Sequence, residues 1–414
     1  MLDGVLLLEW VELALRWLHV ITAVAWIGSS FYFIALDLGL RRPETLPEGV
    51  AGEQWQVHGG GFYHLQKYSV APAALPERLV WFKWESYSTW LSGFALLILV
   101  YYVGSEFYLI DHARRPMTPM AAIILSLASL GLGWLIYDRI CKSALGRQDT
   151  LLMAVLFLLL TAAGWGYSEV FTGRAALLHL GALTATFMSA NVFLIIIPNQ
   201  KIVVAELKAG RAPDPALGAQ AKQRSTHNNY LTLPVIFLML SNHYPLVFAT
   251  PYNWLIASLV FLMGVAIRHF FNESHAGRGR PWWTWVATGL LFAAIVALSS
   301  VPPRPAGDER IPDSVAGAMT AEGFADVQMT LLMRCVMCHG DHAAWPGLNS
   351  AALAVKLDTP ERIAQQARAV YLHAGVSQAM PPGNRTYMTA AERSGIVTWY
   401  RASGGAAGSR AGAP

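Results

Sequence analysis

AALLHLGALTATFMSANVFLIII, Ala175 to Ile197, runs for twenty-three residues without a charged side chain. About 20 apolar residues cross the hydrocarbon core of a bilayer as a helix, so this stretch reads as a membrane span. Working outward from it, seven more apolar runs follow the same rule. They are Val11 to Leu36, Trp90 to Gly104, Met120 to Tyr137, Leu151 to Tyr167, Tyr230 to Ala249, Tyr252 to Phe271 and Trp283 to Val301. The composition agrees: 54% of the 414 residues are hydrophobic and only 14% are charged, with a mean hydropathy of +0.39. That is too apolar for an ordinary soluble protein. The predicted fold is all-α: a polytopic helical membrane bundle of about eight transmembrane helices over residues 1–301. A proline-rich linker (302–318), a small all-α domain (319–403) and a Gly/Ala-rich tail (404–414), expected to be disordered, complete the chain. The net charge of +4 is spread over loops and gives no argument for nucleic-acid binding.

Loop charges orient the bundle. Arg41, Arg42, Lys67, Arg78 and Lys83 follow the first run; Arg139, Lys142 and Arg147 the third; Lys201, Lys208, Arg211, Lys222 and Arg224 the fifth; Arg268, Arg278 and Arg280 the seventh. The alternate connections hold only Arg114, Arg115 and Arg174. The positive-inside rule places the odd-numbered connections in the cytoplasm. An even number of spans then puts both termini outside.

The C-terminal part carries Cys335-Val336-Met337-Cys338-His339. Two cysteines three apart with histidine next are the attachment signature of a c-type haem. Cys335 and Cys338 would hold the porphyrin edge covalently, and His339 would be the proximal iron ligand. Such attachment occurs outside the cytoplasm, in agreement with the charge bias. Met380, before Pro381 and Pro382, is the expected distal ligand; Met388 competes but sits at the start of the last helix. Thr389-Ala390-Ala391-Glu392-Arg393 reads as a helix start with a capping threonine, and Ile396, Trp399 and Tyr400 recur at helical spacing. Cys141, the third cysteine, is read in a short loop and given no role.

Ionisable groups inside spans are functional candidates. His19, His179 and His243 fall in the outer halves of the first, fifth and sixth runs, the placement a bis-imidazole haem b would need. Arg16, one helical turn before His19, is the candidate partner for a haem b propionate. At the inner face, Arg224-Ser225-Thr226-His227-Asn228-Asn229-Tyr230 is expected to open the sixth helix, where the helix dipole favours an anion. The first inner loop adds Trp55, Gln56, His58, Gly59-Gly60-Gly61, Phe62, Tyr63, His64 and, further on, Lys83. Aromatic faces, cations and glycines that permit close backbone approach suit a planar anionic heterocycle. His58, His64 and His227 are candidate bases, because imidazole accepts a proton near neutral pH. Lys83, Arg224, Asn228, Asn229 and Tyr230 are candidate substrate-binding residues.

These segments together resemble the membrane-bound bacterial urate oxidases of the PuuD type. The resemblance covers nearly the whole chain. It rests on the opening helix, on Trp55-Gln56-Val57-His58-Gly59-Gly60-Gly61-Phe62-Tyr63-His64, on Ser225-Thr226-His227-Asn228-Asn229-Tyr230 running to Ser241-Asn242-His243-Tyr244, and on the C-terminal cytochrome c pattern. It implies oxidation of urate to 5-hydroxyisourate. Electrons would pass to one covalent haem c, then to a soluble cytochrome c or a terminal oxidase. It also implies the bacterial inner membrane, with the cytochrome domain on the periplasmic side. Composition and spacing alone do not name urate, and they leave the oligomeric state open. Two further readings stand beside this one: a membrane oxidoreductase of the same build acting on quinol or another purine, and a transporter or assembly factor with a tethered electron carrier.

Overall fold

In a computed structural model, residues 4–68, 75–111, 114–300, 313–345, 351 and 355–404 are described, and they are mostly helical. Among the described residues, each of the eight apolar runs is mostly helical. The helices are α1 (Gly4–Gly39), α2 (Trp84–Leu96, carried on by a wide π-helical turn, Leu97–Tyr102), α3 (Pro119–Lys142) and α4 (Asp149–Val170). Then come α5 (Gly173–Lys208, widened at Asn191–Ile196), α6 (Pro215–Ser241), α7 (Asn253–His275) and α8 (Trp283–Ser299). Among the described residues, five of them, α1, α3, α4, α5 and α7, are long and apolar enough to cross a membrane. The others depart for identifiable reasons. The turn at Leu97 interrupts α2, α6 buries Arg224, His227, Asn228 and Asn229, and α8 has 17 residues.

Local chemistry sets the ends. Thr118 caps α3 by accepting from the Ala121 amide, Pro119 opens the first turn, and Arg139 and Lys142 lie in the last turn, where the dipole favours cations. Asp214 caps α6, with Pro215 following. The sixth helix therefore starts fifteen residues earlier than Tyr230. The Arg224–Tyr230 stretch lies in mid-helix, so the expected N-terminal dipole site for an anion is not there.

The core lies along the seams of α3 to α7. Leu152, Leu156 and Leu160 recur every fourth residue on the buried face of α4, and His179, Leu183, Phe187 and Asn191 do so along α5. Two close approaches need glycine. A Cβ on Gly133 would lie 2.5 Å from Leu183, and one on Gly264 2.6 Å from the Pro234 ring inside α6. Apolar side chains also face outward: Leu13, Trp17, Val20 and Val24 on α1, and Val286 and Leu290 on α8, are exposed. That distribution is compatible with a lipid surround.

One element departs from the all-α expectation. The loop after α1 folds into an antiparallel hairpin, β1 (Val50–His58) and β2 (Gly61–Tyr68). Gly59 and Gly60 have φ of 58° and 80°, as a two-residue turn of the primed type requires. Their freedom makes the turn.

The C-terminal unit has its own core. It comprises α9 (Asp313–Thr320), α10 (Phe324–Arg334), the short turn Val336–His339, α11 (Pro360–Gln365) and α12 (Ala390–Ala402). Val315, Ala318, Phe324, Leu331, Ile363, Ile396, Trp399 and Tyr400 pack together. Residues 313–318, read as linker from the sequence, thus belong to this packed unit, because Val315 and Ala318 are buried in it. Residues 302–312 of the expected linker and 405–414 of the expected tail lie outside the described residues.

Candidate functional site

The densest polar chemistry inside the bundle lies toward the C-terminal ends of α3 and α7 and the middle of α6. Arg224, 2% exposed, donates to the Asp138 carboxylate at 2.8 Å, and Lys142 also bonds Asp138, at 2.7 Å. The guanidinium lies 4.9 Å from the Tyr137 ring centroid. Asn191 stands at the wide turn of α5, a kind of irregularity often found at functional sites. Its amide donates to Tyr137 Oη at 2.8 Å and to Asn228 Oδ1 at 3.0 Å. Tyr137 Oη in turn lies 2.8 Å from His227 Nδ1. Cys141 is in the last turn of α3, not in a loop, and its Sγ is 4.0 Å from the same nitrogen. Every polar group of this cluster that is out of water is satisfied by another, which is what burial demands.

His227 also lines a cavity of about 980 Å³ between α4, α6 and α7. Phe157, Leu160, Phe261 and Val265 form apolar walls, while Lys222, Thr226, Tyr230 and His269 supply polar groups. A mostly apolar cavity with a few convergent polar side chains is the usual form of a small-molecule site.

On the other side of α6, Asn229 accepts from Arg268 Nε at 2.8 Å, and Asn272 accepts from Arg268 Nη2 at 3.1 Å. The Phe31 ring lies 4.3 Å from the guanidinium carbon. Arg268 is 5% exposed and makes no ion pair with any described carboxylate, unlike Arg224.

The structure thus brings Arg224, His227, Asn228, Asn229 and Tyr230 onto one stretch of α6, but disperses them over three faces of it. His58 and His64 do not join them. Both are exposed on the hairpin, where His64 bonds Glu53 at 2.7 Å and stacks on Trp55 with ring centroids 4.3 Å apart. Lys83 lies over its neighbour Trp84, 5.7 Å from the ring. Sequence reasoning missed Tyr137, Asp138, Asn191, Arg268 and Asn272. Tyr137 and Asp138 sit at the end of an apolar run and Asn191 inside one, so only their buried partners mark them. A second groove of about 660 Å³ lies under the hairpin, among Tyr32, Gln54, Gln56 and His275.

His19, His179 and His243 have separate surroundings. His179 is fully buried and both ring nitrogens are engaged, Nδ1 with the Ala175 carbonyl at 2.7 Å and Nε2 with Ser126 Oγ at 2.8 Å. His19 Nδ1 contacts the Thr89 carbonyl at 3.0 Å and Ser92 Oγ at 3.2 Å, His243 is exposed, and Arg16 pairs with Glu12. With both nitrogens of His179 engaged, that residue offers none to an iron, and no step is assigned to a haem b.

In the C-terminal unit, Cys335 and Cys338 flank one helical turn that ends at His339. His339 Nδ1 lies 3.0 Å from the Val355 carbonyl. A donated bond there fixes the ring and leaves Nε2 for a metal, the usual arrangement of a ligating histidine. Burial pushes the Cys335 thiol up to about 11. Met380 packs at the edge of the small core, with its carbonyl accepting from Arg393 at 2.8 Å. Met388 is 3% exposed, its amide and carbonyl both bonded to Asn384.

No curated protein sequence and no solved structure matches the chain. A family model described as "Urate oxidase N-terminal" matches residues 5–299, from the first helix to the end of the eighth. The buried network on α6, the cavity beside it and the hairpin all lie within that match, and the chain belongs to the urate oxidase N-terminal family.

Proposed function

We propose that this chain is a membrane-bound enzyme that oxidises urate to 5-hydroxyisourate and hands the electrons to a haem c in its C-terminal unit. The observation that carries the reading is the position of His227. It lines the inner cavity while Tyr137, held by Asn191, fixes its ring. Urate is planar, anionic near neutral pH, and rich in carbonyl and N–H groups. His227, Thr226 and Tyr230 offer hydrogen bonds to such an edge, Lys222 a cation, and Phe157 and Phe261 flat apolar faces. Arg224 and Asn228 act from behind, by holding the wall in place, rather than as direct contacts.

Eight spans, with the hairpin and the cavity mouth in the cytoplasm, suit a substrate produced there. Arg368 pairs with Glu9 at 2.5 Å and Leu6 joins the small core, so the C-terminal unit lies against the N-terminal end of α1. That is the periplasmic end in this orientation. The residues of that unit fit a covalent haem: Cys335 and Cys338 for the porphyrin edge, His339 and Met380 for the iron. When bound, the haem supplies one-electron acceptance; soluble cytochrome c is the onward partner.

The test is anaerobic addition of urate to the purified full-length protein. Reduction of the haem absorption band by urate, with no hydrogen peroxide formed when air is admitted, is expected. A band that stays oxidised with urate yet reduces with dithionite defeats the reading, as does peroxide formed one-for-one with urate.

A further inference from the structure

The hydrogen-bond chain behind His227 decides what that imidazole can do. The Tyr137 oxygen accepts from the Asn191 amide, and the acceptor available to its own hydrogen among its described partners is His227 Nδ1, 2.8 Å away. An imidazole that accepts at Nδ1 carries its hydrogen on Nε2. His227 therefore meets the cavity as a hydrogen-bond donor, suited to a carbonyl or an oxyanion, and is not free to take a proton there. Urate oxidation needs an acceptor: urate and water become 5-hydroxyisourate, two protons and two electrons.

Among the other titratable groups on the cavity lining, Lys222 is an amine, Asp149 is an exposed carboxylate in the first turn of α4, and Tyr230 is a phenol. His269 on α7 remains. It lines the same cavity, its ring lies 6.0 Å from that of Trp283, and no hydrogen bond ties either ring nitrogen to a described residue. We propose that His269 is the general base of the reaction, paired with His227 as the donor. This rests on the cavity being the urate site. His269 takes a ring N–H proton as the electrons leave singly to two equivalents of a ferric haem acceptor. Water forms the new bond to carbon and sheds the second proton to solvent.

The titratable groups that share the cavity with His269 are Tyr137 from α3, Asp149 from α4, and Lys222, His227 and Tyr230 from α6, and Trp283 of α8 lies beside its ring. On its own helix stand Glu273, already paired with Arg278, and Arg268, bound to Asn229 and Asn272. Protonation of a base stops its action, so urate-driven reduction falls on acidification.

The experiment uses the full-length haem-loaded protein and three variants, with urate binding measured by equilibrium dialysis and the reduction rate by anaerobic stopped-flow over a pH series. His269→Gln is expected to lower the rate about 10²- to 10⁴-fold, to lose the acid limb and to bind urate as before. His269→Ala should regain rate with added imidazole. His227→Asn should raise KM and keep the acid limb. Dithionite reduction checks that each variant is folded and loaded. His269→Gln with an unchanged rate and pH profile overturns the assignment, and so does loss of urate binding with an unaltered kcat, which marks a binding or structural role. If the unsubstituted protein neither binds urate nor is reduced by it, the function reading falls, and this assignment with it.

Discussion

Asp138 shows how much one side chain can hold. It is 5% exposed and accepts from both Arg224 and Lys142. Removing one partner of a buried ion pair strands the other charge, at about 3–5 kcal/mol. Asp138→Asn is therefore expected to lower stability by about that amount, read from unfolding in detergent. Adding Arg224→Met should restore most of it, because the stranded charge is gone; a double variant no better than the single one contradicts the account. The two methionines divide in the same way. Met388 is core, so Met388→Ala should cost about 2–5 kcal/mol without altering the haem spectrum. Met380→Ala should lower the potential and change the spectrum while the haem stays attached. The reverse pattern would exchange their roles.

At the scale of elements, α12 starts on a complete capping box. The Thr389 hydroxyl accepts from the Glu392 amide, the Glu392 carboxylate accepts from the Thr389 amide, and Arg334 bonds that carboxylate at 3.0 Å. The Thr389 backbone bond first, and then Arg334, hold Glu392 below the usual carboxylate range. A depressed folded value means the stabilisation is present above the unfolded value of about 4.3. It is lost as pH falls through the lower folded one. Thr389→Ala should cost about 1 kcal/mol, and Glu392→Gln should flatten the acid side of the stability curve; a curve of unchanged shape would show that Glu392 contributes nothing there. This cap was legible in the sequence because capping is local. The hairpin was not: it is a two-stranded ribbon with Trp55, Val57, Phe62 and Tyr63 exposed, so no buried face imposes a clean alternation. The start of α6 was missed for the opposite reason. Residues 215–229 look too polar for a span, and they are helical because α3, α5 and α7 satisfy their side chains.

For the whole molecule, topology is the direct test. A reporter joined after Pro302 should be active only outside the cytoplasm, and one near Pro213 only inside. A C-terminal reporter active in the cytoplasm contradicts the charge bias and the haem c proposal together. The helical bundle follows from runs of adjacent residues, and so do the CxxCH turn and the α12 cap. Each is a sum of local terms along the chain. Which polar residues meet is a different matter. Arg224 and Asp138 are 86 residues apart, His227 and Tyr137 90. His58 and His64 look no less reactive in sequence than His227, yet the fold leaves them on an exposed ribbon and gives His227 a buried partner and a cavity. The sequence by itself determined most of the helices and the family. Only tertiary packing decided the site, because a side chain's protonation, tautomer and reach depend on neighbours that the chain brings together from far away.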